Sequence, residues 1–329
     1  MPITWELREY DQEFFRKELD RFVPPKVFDA HAHLYHVSHW GHPTPVHHGP
    51  QVATLETFRS QIQWLMPGRT TSGLFFGVGF NEGFRASNEF VAGEIAKDSS
   101  CYGHLLVSPG MDPEEMREAV KRLGMCGIKV YHTFLKGQPS WAAPISEFLI
   151  NEHVRVANQE GWTITLHMVR DRALADAENQ EWIRTNCRRY PNIKLILAHA
   201  ARGFNPFHTI EGAHVLKGLR NVWCDVSAVT ECGAFEAIVE VLGCDRLLWG
   251  SDYPICHLRG RCVAIGDQFV WLYEDTFDWD TFAEHTKIRP LLIGLESLRS
   301  LKLAARHLRL TDHQVEDIFY NNAKNMLAI

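Results

Sequence analysis

Short apolar runs recur along the chain at residues 26–33, 73–79, 101–107, 125–131, 161–167, 193–199, 221–227 and 246–252. Each has the length and the β-branched or aromatic content of a strand covered on both faces. Most are followed by an amphipathic stretch with helical spacing. The clearest helix start is Asp112-Pro113-Glu114-Glu115, where Asp112 can cap the first turn, Pro113 brings its fixed φ, and the acids face the positive end of the helix dipole. Thr311-Asp312-His313-Gln314 has the form of a capping box, opening a last helix through Tyr320 to Leu327. Alternating strands and helices predict an α/β protein with a parallel sheet, and eight units predict closure into a (β/α)8 TIM barrel. One barrel domain is expected over residues 1–329. An open doubly wound sheet is the alternative, but Gly77-Val78-Gly79 lies within or at the end of the second run and lacks the third glycine of a dinucleotide fingerprint.

Two connections are longer than a barrel usually needs, 34–71 after the first run and 253–290 after the last. Both fall on the side where strands end, so they are expected to distort the barrel mouth and to serve function. The first holds His36, His39, His42, His47 and His48. These could line a lid or form a second metal site. The lid is the preferred reading, because histidines on a long loop lack the outer partners that orient ligands.

Composition narrows the class. Apolar residues make up 45% of the 329 and charged residues 22%, with a formal charge of -6. No run approaches the roughly 18 apolar residues of a membrane span, and no lysine and arginine block suggests a nucleic-acid surface. Neither membrane nor nucleic acid is an expected partner; a small-molecule substrate is, and a homo-oligomer is compatible. The first ten residues carry charges of both signs and no apolar core, so no secretory signal is expected and a cytoplasmic location is. The eight cysteines show no Cys-x-x-Cys pair and read as free thiols.

The candidate chemistry sits where the apolar runs stop. Val-Phe-Asp-Ala-His-Ala-His ends in His31 and His33, and side chains at i and i+2 of a strand share a face. Later runs stop at His167, His199 and Asp252, and Lys129 lies inside a fourth, where an ammonium is costly unless paired, neutralised or modified. In a barrel such strand ends converge on one mouth. A cluster of nitrogen and oxygen donors there suits a divalent ion, zinc above all. Taken singly, each histidine reads better as a hydrogen-bonded structural residue.

Phe-Asp-Ala-His-Ala-His, Gly-Ile-Lys-Val-Tyr, Thr-Leu-His-Met, Leu-Ala-His-Ala and Leu-Leu-Trp-Gly-Ser-Asp-Tyr-Pro resemble strands one, four, five, six and eight of the amidohydrolase superfamily, and Tyr-Asn-Asn-Ala-Lys-Asn-Met-Leu is similar to the last helix of its amidohydrolase-related branch. The resemblance spans about residues 27–328. It implies a distorted (β/α)8 barrel with one or two divalent metals, often zinc, and amidase, lactonase, phosphotriesterase, decarboxylase or hydratase activity. Carried over by position, it implies His31, His33, His167 and Asp252 as ligands of one metal. His199 would bind a second metal or touch substrate, and Lys129 would bridge two metals if carboxylated. A single tightly held ion is the first expectation and a bridged pair the second.

The expected reaction is hydrolysis of a C–N or C–O bond, amide or lactone and ester, through a metal-activated water, with Asp252 as proton shuttle and His199 facing the developing oxyanion. Nonoxidative decarboxylation of an aromatic or unsaturated acid is the alternative. A metal-binding protein without turnover is a third class, disfavoured because no extra strand-end ligand closes the site. Arg170, Arg172, Arg202, Arg259 and Arg261 follow the ligand runs, and Tyr131 ends the fourth. Arg170, Arg202, Arg259, Arg261 and Tyr131 are the expected contacts to an anionic substrate, although about half of the arginines should be ion-paired instead. Trp64, Trp141 and Trp271 read as pocket walls or as packing.

Overall fold

Twelve strands are described, in chain order β1 (Lys26–His33), β2 (Tyr35–His36), β3 (Val52–Ala53), β4 (Thr70–Phe76), β5 (Tyr102–Val107), β6 (Gly127–Tyr131), β7 (Thr163–His167), β8 (Lys194–Leu197), β9 (Val222–Asp225), β10 (Leu247–Leu248), β11 (Gly260–Ile265) and β12 (Gln268–Tyr273). They come from a computed structural model that describes residues 5–41, 45–78, 83–135, 140–279, 281 and 287–328. Eight of them form one parallel sheet in the order β1-β4-β5-β6-β7-β8-β9-β10. The ring closes where the chain after β10 runs beside β1. Trp249 and Tyr253 carbonyls accept from the Ala30 and His33 amides, each at 2.9 Å, and the Asp252 amide donates to the His31 carbonyl at 2.8 Å. The fold is a TIM barrel.

Helices cover the ring because each presents one apolar stripe to it. Pro113–Arg122 starts as its sequence predicts, with the Asp112 carboxylate accepting from the Glu114 and Glu115 amides. The capping box at Thr311 is also formed. Beneath the barrel, Phe28, Ala30, Leu74, Ile196 and Leu248 pack with Ala323 and Met326 of the last helix, so the floor is apolar.

Both long connections carry strands among the described residues. The first carries the antiparallel pair β2–β3 and the helix Leu55–Ile62; the second carries the hairpin β11–β12. Of the eight expected barrel runs only 26–33 keeps its bounds; most others are shortened at one or both ends, and β8 stops at Leu197 rather than at 199. The second barrel strand is Thr70–Phe76 rather than 73–79, because Thr70, Thr71 and Ser72 pair with Lys26, Val27 and Phe28 although they are not apolar. The last keeps regular pairing only over Leu247–Leu248. All eight cysteines are free. Among the described residues, no helix is long and apolar enough to cross a membrane.

Candidate metal centre

β1 delivers His31 and His33 to the mouth with ring centroids 5.8 Å apart. A register shift between Asp29 and Ala32 falls beside them, as bulges often do where a strand re-aims a side chain. His31 is fully buried, and its Nδ1 lies 2.9 Å from Asp225 Oδ2. Burial and the Lys129 charge nevertheless hold its pKa down against the pull of Asp225. His31 is therefore neutral, donates from Nδ1 to Asp225 and turns an Nε2 lone pair inward. His33 donates from Nδ1 to the Gly77 carbonyl at 3.0 Å.

His199 reaches the site by different means. The strand before it stops at Leu197, and His199, Ala200, Ala201 and Arg202 all have φ between 49° and 60°, closed by a bond from the Gly203 amide to the His199 carbonyl at 2.7 Å. This is one turn of left-handed helix, which costs a residue with a β-carbon roughly 1–2 kcal/mol. Strain of that kind gathers where a site requires it. The turn is anchored by the His199 amide donating to Asp225 Oδ1 at 3.0 Å. The imidazole Nδ1 donates to the Ser227 carbonyl at 2.9 Å, and burial holds its pKa down to about 4. Its Nε2 lone pair is also left free.

Asp252, also in the left-handed region at φ 59°, places Oδ1 3.4 Å from His31 Nε2 and 3.5 Å from His33 Nε2. Burial works to raise its pKa, but the His33 contact and the fields of His199, His31 and His33 prevail and hold it well below the usual carboxylate range. One donor atom each from His31, His199 and Asp252 lies within 4.8 Å of the others. Imidazole nitrogens thus face a carboxylate oxygen at 3.4–3.5 Å, an arrangement that calls for a proton or a cation between them. The Nδ1 partners are those of ligating histidines, each oriented by an outer acceptor. The residues fit a divalent ion.

Lys129 lies beneath this cluster, wholly buried, with Nζ 3.4 Å from His31 Nε2 and 4.3 Å from the centre of the Phe76 ring. Burial pulls its pKa down to about 7, against the attraction of Asp225 and Asp252. Its ammonium faces His31 rather than His33. His167, at the end of β7, stands with its ring 5.0 Å from that of His199, and its buried Nδ1 has no hydrogen-bond partner. Tyr131 Oη is 3.5 Å from His33 Nε2. A cavity of about 150 Å³ opens here, walled by His33, Trp40, Tyr131, His167, His199 and Asp252 among others.

The structure separates the candidate substrate arginines. Arg259 is buried away from the cavity in an ion pair with Asp11 at 2.6 Å. Arg170 is held by Asp176 and Glu178, Arg172 by Glu211 and Asp267, and Arg261 by Glu296, Glu231 and the Thr230 carbonyl. A guanidinium satisfied by acids has little left for a ligand. Arg202 differs, lying between the rings of Trp141 and Phe269. Trp64 packs against His257, and Trp271 stacks on Tyr273; Trp141 stands beside His132. Of the loop histidines, His36 and His39 contact each other and Ser38, and no described group of three metal-competent residues includes them, His47 or His48. His42 lies outside the described residues.

Sequence reasoning passed over Asp225 and Ser227, which orient His31 and His199. The signal was present, because Val-Trp-Cys-Asp is another apolar run that stops at an acid. Trp40 carried none.

The chain belongs to the amidohydrolase family, whose sequence model matches residues 28–329. L-fucono-1,5-lactonase from Burkholderia ambifaria is 33% identical over 100 residues, 26% of this chain and 33% of the lactonase; the match therefore spans about a third of that relative's length. Two solved structures share the fold. An amidohydrolase from Burkholderia multivorans with bound HEPES has a TM-score of 0.60 at 13% identity, covering 92% of this chain and 99% of its own. The 5-carboxyvanillate decarboxylase from Sphingomonas paucimobilis has a TM-score of 0.57 at 13% identity, covering 93% and 100%.

Proposed function

We propose that the protein is a metal-dependent hydrolase that cleaves a C–O or C–N bond of a small lactone, ester or amide, with one divalent ion, zinc by its nitrogen and oxygen donors. The observation that carries this reading is the pair of inward Nε2 atoms of His31 and His33 turned on the Asp252 carboxylate at 3.4–3.5 Å. The partial likeness to a lactonase favours an acyl carbon as the point of attack. His31, His33, His199 and Asp252 would hold the ion, with His167 beside them. The chemistry it supplies there is Lewis acidity, which brings the ionisation of water to about pH 7.

The remaining work falls to the side chains. Asp252, kept ionised by its histidine neighbours, accepts the proton of the attacking water and returns it to the leaving group. His167, kept neutral by burial and by the fields of His199 and Lys129, and Tyr131 wall the cavity beside the reacting carbonyl. Tyr131 also supplies a hydroxyl, because burial keeps its proton on. The apolar floor under β1 excludes bulk water from below.

Metal analysis of the purified protein, followed by a screen of lactones, esters and amides in ¹⁸O-labelled water, tests the assignment. One ion per chain and label in a carboxylate product are expected. Asp252→Asn should slow kcat by about 10²–10⁴-fold. Release of carbon dioxide without label incorporation would instead make the protein a decarboxylase, and failure to retain a divalent ion would remove the metal.

A further inference from the structure

The geometry points to Arg202 as the anion anchor among the described arginines of the mouth, so that the substrate carries one planar carboxylate that reaches Arg202 while its acyl carbon lies at the His31, His199 and Asp252 cluster. This rests on the hydrolytic reading above and adds the class of molecule hydrolysed.

Three observations carry it. The first is the left-handed turn. His199 and Arg202 are its first and fourth residues, and residues three apart on a helix of either hand fall on one side. The strained backbone that presents His199 therefore presents Arg202 with it. The second is the surroundings of the guanidinium. Its carbon lies 5.1 Å from the centre of the Trp141 ring and 5.4 Å from that of Phe269. Two aromatic faces attract the charge but accept nothing from its in-plane N–H groups. Among the described residues no side chain or carbonyl accepts from Arg202, and Asp171, whose charge it feels, makes no ion pair with it. Arg202 is half-buried, which leaves the donor edge as the approach for a ligand, and a flat edge of parallel N–H groups matches a carboxylate. The third is what the other arginines that follow the ligand runs do: Arg170, Arg172, Arg259 and Arg261 all face acids. Arg202 lies next to the cavity rather than in its wall: the Trp141 ring it lies over is 4.4 Å from the His132 ring, which is 5.8 Å from that of His167 in the cavity wall. A ligand spanning the two points is bound by its anion at one end and attacked at the other. Among the described arginines that follow the ligand runs, Arg202 alone is left without an acid, which accounts for one carboxylate.

The probes are benzoate and its neutral isostere benzamide, titrated calorimetrically into metal-free protein, so that neither can bind through an ion at the cluster. Wild type is expected to hold benzoate about 10- to 100-fold more tightly than benzamide, as a charge-assisted pair provides. Arg202→Gln should bring that ratio to about one. Arg202→Lys, which keeps the charge and loses the fork, should retain part of it and guards against a folding defect in the glutamine variant. Arg172→Gln should keep the wild-type ratio. No preference in wild type, or an unchanged preference in Arg202→Gln, overturns the proposal. The hydrolytic reading fails on other evidence, the metal and label measurements: loss of those with the benzoate preference intact leaves the anchor standing and reassigns the reaction, whereas a labelled product without the preference removes the anchor alone.

Discussion

A carboxylate that ligates nothing can still decide where a metal binds. Asp225 takes the Nδ1 proton of His31 on one oxygen and the backbone amides of His199 and Ser227 on the other, so it sets the tautomer of one histidine and the position of a second. Asp225→Asn places a donor opposite His31 Nδ1–H and favours the wrong tautomer. Metal affinity should fall about 10- to 100-fold, read by equilibrium dialysis against a competing chelator, with the barrel intact by circular dichroism. At this scale the sequence was legible as far as residue type and strand-end position could carry it. Those two properties found His31, His33, His167, His199 and Asp252. They do not report partners, which is why five arginines looked alike: Arg259 meets Asp11 only because the fold brings the N-terminal helix to the second long connection, and nothing local to Arg259 says so.

At the scale of elements, the site depends on how closely β1 meets the chain after β10. A β-carbon on Gly250 would fall 2.8 Å from the His31 Cβ and 3.2 Å from its amide nitrogen, so only glycine allows this approach. Gly250→Ala should push His31 off its bond to Asp225 and lower metal retention. The check is metal per folded chain, which should drop while the far-ultraviolet spectrum keeps its shape. The buried pair of Asp11 and Arg259 gives the opposite outcome. Asp11→Ala leaves a guanidinium buried with carbonyls and Tyr10 alone, and should cost about 3–5 kcal/mol of stability by urea unfolding, with the metal content of folded molecules unchanged. Elements whose pattern is local were readable: β1, with its bounds Lys26–His33, and the two capped helix starts. The left-handed turn was not, since Ala200 and Ala201 carry none of the glycine or asparagine that usually marks such a backbone. Its cause is the hold of Asp225 on the His199 amide.

At the scale of the whole molecule, three buried histidines outside the candidate ligand set are held neutral. Burial pulls His104 down to about 3 and His132 and His257 to about 4, whereas in the unfolded chain each titrates near 6.5. Below pH 6.5 the unfolded state binds more protons than the folded one, so stability is complete above that pH and is lost as the pH falls toward 4. Metal-free protein should lose up to about 2 kcal/mol per such histidine between pH 7 and pH 5, seen as a lower urea midpoint with an unchanged slope. The closed ring itself was legible from eight alternating units, because period and count are properties of the whole chain. Its seam was not, because the pairing after β10 is irregular and depends on β1.

That seam has a consequence for how the two ends of the barrel stay together. The hydrogen bonds from Ala30, His33 and Asp252 that join the first strand to the segment following the last are interleaved with the side chains offered to the ion, so a cation seated there works as a clasp. Any motion that parts the stitched edges must also release it.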